Sequence, residues 1–428
     1  MRVVVVALGK IGLPLAVQIA RSGHSVTGCD INAEVVQLVN AGQPPFPGEE
    51  GLQQALAEVI AAGMLTATSD TTAAVATAPE LVIAVPPLAV DQFAKPDWAA
   101  LDAAIAAIGA GLQGGTTVAV ETTLPVGTTR RRIAPALAAA SGLQSEQDFF
   151  TVFSPERVFS GRIFADLAAY PKLVGGLSEA GEARGVELYG CFLEAEVRPM
   201  GSAEAAELTK LAETTYRDLN IAFANELAQF ADRQQIDVDR VIAAANSQPF
   251  SHIHSPGIAV GGHCIPVYPR FYLEGDPAAT LPRAAREVND AMPAYGVERL
   301  EQALGGLQGS RVLILGAAYR GGVKESAFSG VFALAAALTA RGAAALVSDP
   351  LYSDAELTAL GLTAWDGEAI AAAIVQADHA EYRQLAPADL PGARAVLDGR
   401  EILSPERFAG SEVALLRIGR PGTTAPAS

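Results

Sequence analysis

Cysteine is scarce in this chain. There are three in 428 residues, Cys29, Cys191 and Cys264, an odd number with no Cys-x-x-Cys spacing. That excludes a disulfide framework and points to a reducing, cytoplasmic setting. Basic residues are outnumbered, 30 Lys and Arg against 47 Asp and Glu, and the charge of −17 excludes nucleic acid and anionic membrane surfaces as expected partners. A phosphate-bearing small ligand stays compatible, because local Lys, Arg and helix termini can meet it. No uninterrupted apolar run is convincing as a membrane span. The first twenty residues come nearest, but Gly9, Gly12 and Pro14 interrupt them and no small-residue cleavage site follows. Charged residues make up only 18% and apolar ones half, which is ample material for a large buried core. The length calls for two or three domains.

What is present is a repeated strand–helix alternation. Met1 to Ala7 reads as a buried parallel strand, with Val3 to Val6 unbroken by polar residues. A turn at Gly9–Gly12, a helix to about Arg21 and a strand over Ser25–Cys29 follow. Further strands are expected at 80–85, 116–120, 149–153, 172–175 and 195–199. From Glu204 to about Gln235 the pattern is one long helix, suited to a domain connector or a dimer core. At Arg311 a strand again runs into a glycine, Gly316, and strands near 344–348 and 395–398 follow. The expected fold is α/β, two Rossmann-like doubly wound domains joined by a long helical connector. The boundaries read as 1–200 for the first domain, 201–305 for the connector, 306–418 for the second domain, and a disordered tail over 419–428.

Two stretches carry chemistry. The turn Ala7-Leu8-Gly9-Lys10-Ile11-Gly12 lies between a strand and a helix, where glycines let backbone approach a pyrophosphate seated on the helix N-terminus. Ala7 stands where the first glycine of that fingerprint belongs, and serves as well if its φ is negative. Asp30 ends the next strand, placed to bind ribose hydroxyls and to repel a 2′-phosphate, so NAD is the expected cofactor. The second stretch runs from Pro256 to Val267 and holds Gly261-Gly262-His263-Cys264. A thiol in a chain that binds a nicotinamide points to oxidation through a thiohemiacetal and a thioester. His252-x-His254 invites a zinc reading, but the spacing fits no standard site and no metal is expected.

These stretches together resemble the UDP-glucose/GDP-mannose dehydrogenase family over nearly the whole chain. The matches are collinear: Gly9 to Pro14, Val85-Pro86-Pro87, Glu121 to Thr129, Ser154-Pro155-Glu156-Arg157, Leu208 to Leu211, Phe223 to Leu227, the Cys264 loop and Ala318-Tyr319-Arg320. The Gly-Gly-His-Cys form of the loop resembles the branch that oxidises UDP-N-acetylhexosamines, UDP-N-acetylmannosamine above all. The resemblance implies NAD-dependent oxidation of the C6 alcohol of a UDP-sugar to the uronate, with two NAD per sugar. A homodimer is expected through the long helix, and the uronate serves either surface polysaccharide biosynthesis or a specialised metabolite. The resemblance implies roles as well. Cys264 is the nucleophile, Lys210 stabilises negative charge on the reacting oxygen, Glu156 acts on water, and Thr123 positions that water or the C6 oxygen. Gly9, Lys10, Ile11, Gly12, Asp30, Val85, Pro86, Glu121 and Lys324 fall to the cofactor. Arg157, His252, His254, Gly261 and Arg320 fall to the substrate.

Two positions depart from the family pattern. Thr214 replaces an asparagine four residues after the lysine, and Tyr268 replaces an aspartate four residues after the cysteine. A phenol, with an ordinary pKa near 10, is no carboxylate at neutral pH. The alternatives are therefore a nucleotide-sugar-binding protein with weakened or incomplete catalysis, or the same chemistry on UDP-glucose or UDP-N-acetylglucosamine.

Overall fold

The computed structural model describes all residues except 92–94, 159–160 and 424–428. The chain forms two compact units. One comprises Met1–Glu213 with Arg270–Pro277, the other Thr214–Pro269 with Ala278–Ser428. The long helix, Ala203–Gln234, contributes to both, since the division falls at Glu213 and Thr214.

The first unit is built on eight strands: β1 (Arg2–Val6), β2 (Ser25–Cys29), β3 (Leu65–Thr68), β4 (Leu81–Ala84), β7 (Thr117–Val120), β8 (Phe150–Phe153), β9 (Lys172–Gly176) and β10 (Val197–Pro199). A two-residue antiparallel ribbon, β5 (Ala89–Val90) with β6 (Pro96–Asp97), stands outside the sheet. The sheet order is β10-β9-β8-β7-β4-β1-β2-β3. It is parallel except where β9 runs antiparallel to β8. Val3 to Val6 are all buried, as a parallel strand covered on both faces requires. Helix α1 (Gly12–Arg21) turns Leu13, Leu15, Val17 and Ile19 onto the sheet, each essentially without exposure. Burial of each such side chain is worth about 1.5–3 kcal/mol. Strand order reverses at β1, with β2 on one side and β4 on the other. The crevice at the carboxyl ends of β1 and β4 is where open α/β sheets take their ligands.

The second unit carries β11 (Arg311–Leu315), β12 (Ala344–Ser348), β13 (Ala372–Val375), β14 (Ala395–Asp398), β15 (Ala414–Arg417) and β16 (Arg420–Thr423), in the order β12-β11-β13-β14-β15-β16. All pairs are parallel except β15 with β16. The expectation of a disordered tail from Gly419 is corrected for Arg420–Thr423. These residues add an edge strand, anchored because the Arg420 guanidinium meets Asp239 and Glu401. The remainder of that tail, 424–428, lies outside the described residues. Strands β3, β13 and β15 escaped the sequence reading. They are four residues each, too short for their apolar pattern to stand out from the helices and loops around them.

Candidate active site

In the first unit the βα turn is shaped by close approach. A Cβ at Gly12 would lie 2.0 Å from the Ala7 carbonyl oxygen, so only glycine fits there, whereas a Cβ at Gly9 would meet nothing within 4 Å. Ala7 adopts φ +75°, the left-handed region that costs an L-residue roughly 1–2 kcal/mol. The condition of a negative φ thus fails: alanine is forced into the glycine conformation. Helix α1 begins at Gly12 with no side-chain cap and no acid in its first turn. Its N–H groups and dipole are therefore left to a ligand. Half-buried Asp30 accepts from Leu8 N at 2.8 Å and from Asn32 N at 2.9 Å, which locks the turn to the end of β2. Lys10 is exposed, Ile11 and Val85 are half-buried and Pro86 is buried, all at the same end of the sheet. Ile31, which sequence reasoning passed over, is 95% exposed beside Asp30 and offers an apolar surface to a flat base. The glycine cradle, the uncapped helix and the acid at the strand end fit a dinucleotide.

Glu121 is a correction. Its side chain is wholly buried, and both carboxylate oxygens are taken by neighbouring side chains. One oxygen accepts from Lys172 Nζ at 2.8 Å, the other from the Tyr189 hydroxyl. Lys172 also reaches Glu156 Oε2 at 3.1 Å. Burial pushes Glu121 up to about 7, the Lys172 charge opposing. Burial pushes Glu156 up too, but Lys172 and the Arg157 N–H outweigh it and hold this carboxyl below its ordinary value. Glu156 Oε1 accepts from Arg157 N at 2.6 Å and Val158 N at 3.2 Å. Lys210 Nζ donates to the Glu156 carbonyl at 2.5 Å. The two expected catalytic residues of this unit are thus neighbours, and Thr123 is buried. Arg157 pairs with Glu213 at 2.5 Å rather than with Glu156. Sequence reasoning missed Lys172, whose signal was a lone charge opening an otherwise apolar strand. It also missed Glu207, a buried acid on the long helix that accepts from Thr129 N at 2.9 Å and Thr129 Oγ1 at 2.7 Å, and so fixes the Pro125–Thr129 loop.

In the second unit the cysteine loop is held by its backbone. Asn220 donates to His252 O at 2.6 Å and accepts from His254 N at 2.9 Å. Asn246 brackets Ile253 in the same way, at 2.9 and 2.8 Å. Asn225 accepts from Gly257 N at 2.9 Å and is itself fixed by buried Asn289, which donates to Asp218 beside Arg286. A Cβ at Gly261 would sit 2.7 Å from Tyr319 Cβ, and Gly262 takes φ +92° while donating to Ala327 O at 3.0 Å. The glycine pair is what lets this loop lie flat on Tyr319. Cys264 follows with its thiol exposed, and its carbonyl accepts from Val267 N and Tyr268 N. Cys29 by contrast is buried, which pushes its thiol up to about 11. His263 is exposed, 3.6 Å from Glu325. His252, His254 and Arg320 are exposed too, Arg320 donating to the Tyr319 hydroxyl at 3.1 Å. Lys324 pairs with Glu356 at 2.5 Å over the Tyr352 ring. Arg400, also missed, is held by Gln376 and Tyr319 O. Burial pushes its guanidinium below its usual value.

Such a dinucleotide cradle, on a chain with an exposed thiol in a rigid loop, defines a nicotinamide-dependent oxidoreductase. Comparison with known sequences fixes the class further. The family model for the NAD-binding domain matches residues 1–193 and the one for the central domain matches 204–291. The chain belongs to the UDP-glucose/GDP-mannose dehydrogenase family, and is an NAD-dependent nucleotide-sugar dehydrogenase. Among similar proteins, the UDP-N-acetyl-D-mannosamine dehydrogenase of Pyrococcus horikoshii is 36% identical over 331 residues, 76% of this chain and 78% of the relative. An NDP-N-acetyl-D-galactosaminuronic acid dehydrogenase of Ralstonia nicotianae is 31% identical over 95% of this chain and 97% of its own. A solved structure of a UDP-D-ManNAc dehydrogenase from Pyrococcus horikoshii superposes with TM-score 0.88 at 30% identity, covering 98% of this chain and 99% of that one.

Proposed function

We propose that this enzyme oxidises the C6 alcohol of UDP-N-acetylmannosamine to the uronate through a covalent intermediate on Cys264. The observation that carries the reading is an exposed thiol on a loop clamped by three asparagines and a glycine pair, in a chain of this family. The sugar is inferred from relatives that bear that activity in their names and from the Gly-Gly-His-Cys form of the loop. Gly9, Gly12, the α1 N-terminus and Asp30 would hold NAD, with Lys10, Ile11, Val85 and Pro86 around it. Bound NAD supplies a hydride acceptor, one NAD for each of the two oxidations.

Lys210 offers an ammonium to the oxygen that gains charge as the alcohol is oxidised and as the thiolate adds. The Cys264 sulfur forms a C–S bond to the C6 aldehyde, and oxidation of that adduct leaves a thioester. Glu156, kept ionised by its three donors, accepts a proton from the water that attacks the thioester, while Thr123 orients that water. The C–S bond then breaks and the thiolate returns. Arg157, Gly261, His252, His254 and Arg320 are assigned to the nucleotide sugar, Lys324 to the cofactor of a partner subunit, and Arg400 joins them as a guanidinium at the same loop. A homodimer is supported by Tyr216, Phe223 and Phe230, exposed at seven-residue spacing on the long helix. Among the described residues no helix is long and apolar enough to cross a membrane, and the unpaired cysteines suit the cytoplasm.

Purified protein, NAD and a panel of nucleotide sugars test the reading. Two NADH per sugar are expected, with UDP-N-acetylmannosamine fastest, and none from Cys264→Ala. No NADH with any nucleotide sugar refutes it. Tyr268 favours a second reading, incomplete catalysis, because the first turn of its helix offers a phenol where the family has a carboxylate. Intact mass after turnover separates the two: a persistent sugar adduct on Cys264 supports the second, and full conversion to uronate removes it.

A further inference from the structure

Behind Glu156 one lysine bridges two acids. Glu121, Lys172 and Glu156 have side-chain exposures of 0%, 5% and 11%, so the two carboxylates share the Lys172 ammonium, Glu121 sealed from water and Glu156 partly open beside Lys210. A sealed carboxylate that shares its cation is costly to keep ionised. The Tyr189 phenol donates to Glu121, and Ser154 lies beside Tyr189. Lys210 bears on Glu156. Glu156 is satisfied as an anion by Lys172 and two backbone N–H groups, and it is the member that keeps some exposure. Glu121, wholly buried and bonded to Lys172, is the member on which an added proton settles.

We propose that Lys172 relays to Glu121 the proton that Glu156 takes from the hydrolytic water, so that the buried Glu121–Lys172 pair is the proton store of thioester hydrolysis. The inference rests on the reading that Cys264 carries a thioester. Water adds to the thioester carbon, and its proton goes to Glu156. The Lys172 ammonium gives one proton to Glu121 as Glu156 returns one to Nζ. Glu156 is thereby ionised again, Glu121 is neutral, and the C–S bond breaks with its electron pair leaving on sulfur. After product release the proton retraces the same path outward. Nothing is oxidised or reduced in these steps. Such a store matters more here than where an aspartate follows the cysteine, because Tyr268 puts a phenol where that carboxylate would stand.

The test separates oxidation from hydrolysis in a rapid-mixing experiment with NAD and UDP-N-acetylmannosamine. NADH formed in the first turnover reports oxidation, and the later steady rate reports hydrolysis. Lys172→Arg keeps the cation and the ion pairs, but a guanidinium does not give up its proton. The expected result is hydrolysis slowed by about 100-fold relative to oxidation, with the sugar thioester accumulating on Cys264 by intact mass. In the unsubstituted enzyme hydrolysis should rise with pH through about 7, the range in which burial places Glu121, because the protonated acid accepts nothing. Glu121→Gln, nearly isosteric, should lose that rise. A hydrolysis rate and pH profile unchanged in both variants overturn the proposal. If Lys172→Arg does not fold, the Glu121→Gln profile decides alone: a flat profile supports the relay and a retained rise overturns it. If the unsubstituted enzyme makes no NADH with any nucleotide sugar, the thioester reading itself fails; NADH with unaltered variants sinks the relay only.

Discussion

The two Rossmann-like units use one local device to opposite ends. In each, an acid at the end of the second strand of a βα pair reaches back to the turn after the first. Asp30 accepts from Leu8 N and from Asn32 N two residues on; Asp349 accepts from Ala317 N at 2.7 Å, Ala318 N at 3.0 Å and Leu351 N at 2.8 Å. Beyond that they diverge. Asp30 stays half exposed and α1 starts uncapped, so the turn is left for a pyrophosphate. Asp349 is buried and bonded to buried His379 at 3.1 Å. The helix after β11 starts only at Gly330, and Ser329 caps it. Gln376 fills the reversal point between β11 and β13, donating to Ala318 O at 2.7 Å and Ser329 Oγ at 2.9 Å. The same topology thus gives a ligand cradle when its polar groups are left open and a structural knot when side chains satisfy them. In the second unit that turn is closed to a ligand.

The comparison predicts unequal responses to equal substitutions. Asp349→Ala should cost the most, about 3–5 kcal/mol of stability, since it strands a buried histidine and three N–H groups. Urea unfolding measures this, and NAD affinity of the folded protein should not change. A loss of NAD affinity without a loss of stability would break the contrast. Burial alone pushes Asp349 up, yet His379 and the N–H groups hold it below its ordinary value. A depressed acid gives stability that is complete above its unfolded pKa, near 4, and is lost as pH falls through the lower folded value. Asp349→Asn should therefore flatten the acid limb of stability.

Asp30→Ala should do the reverse, lowering NAD affinity by about 10- to 100-fold, as expected for a charged hydrogen bond, with a stability loss of only about 1–2 kcal/mol because it frees two N–H groups and no buried histidine. Titration calorimetry with NAD is the check. Ser329→Ala should cost about 1 kcal/mol, the usual value of a helix cap, while NAD binding is unaffected. The smallest effect is expected at the strained turn. Ala7→Gly should raise stability by about 0.5–1 kcal/mol, the relief of a left-handed alanine less the added freedom of glycine in the unfolded chain. A thermal melt no higher than that of the parent would show that the φ of Ala7 stores no strain.

Much of the fold was legible because strand and turn signals are local. Val3 to Val6, the Gly9–Gly12 turn, the long helix and the Arg311–Gly316 strand each announce themselves within a dozen residues. The candidate site was only partly legible. Cys264, Glu156 and Lys210 stand in recognisable motifs. Glu121 stands in one too, yet its carboxylate is spent on Lys172, 51 residues away. No local pattern joins Lys172 to two acids or Asn225 to Gly257, because such partners are matched only when distant segments pack.

By itself the sequence determined the two strand–helix repeats, the class of cofactor and the glycine-rich setting of Cys264. Those follow from periodicity, glycine spacing and chemistry carried on short segments. Only the tertiary structure decided which acids are open and which sealed, that Ala7 must take a glycine's conformation, and that Lys172 holds Glu121 and Glu156 together. Burial and charge balance are properties of what surrounds a side chain, and the neighbours of these residues come from strands and helices far apart along the chain.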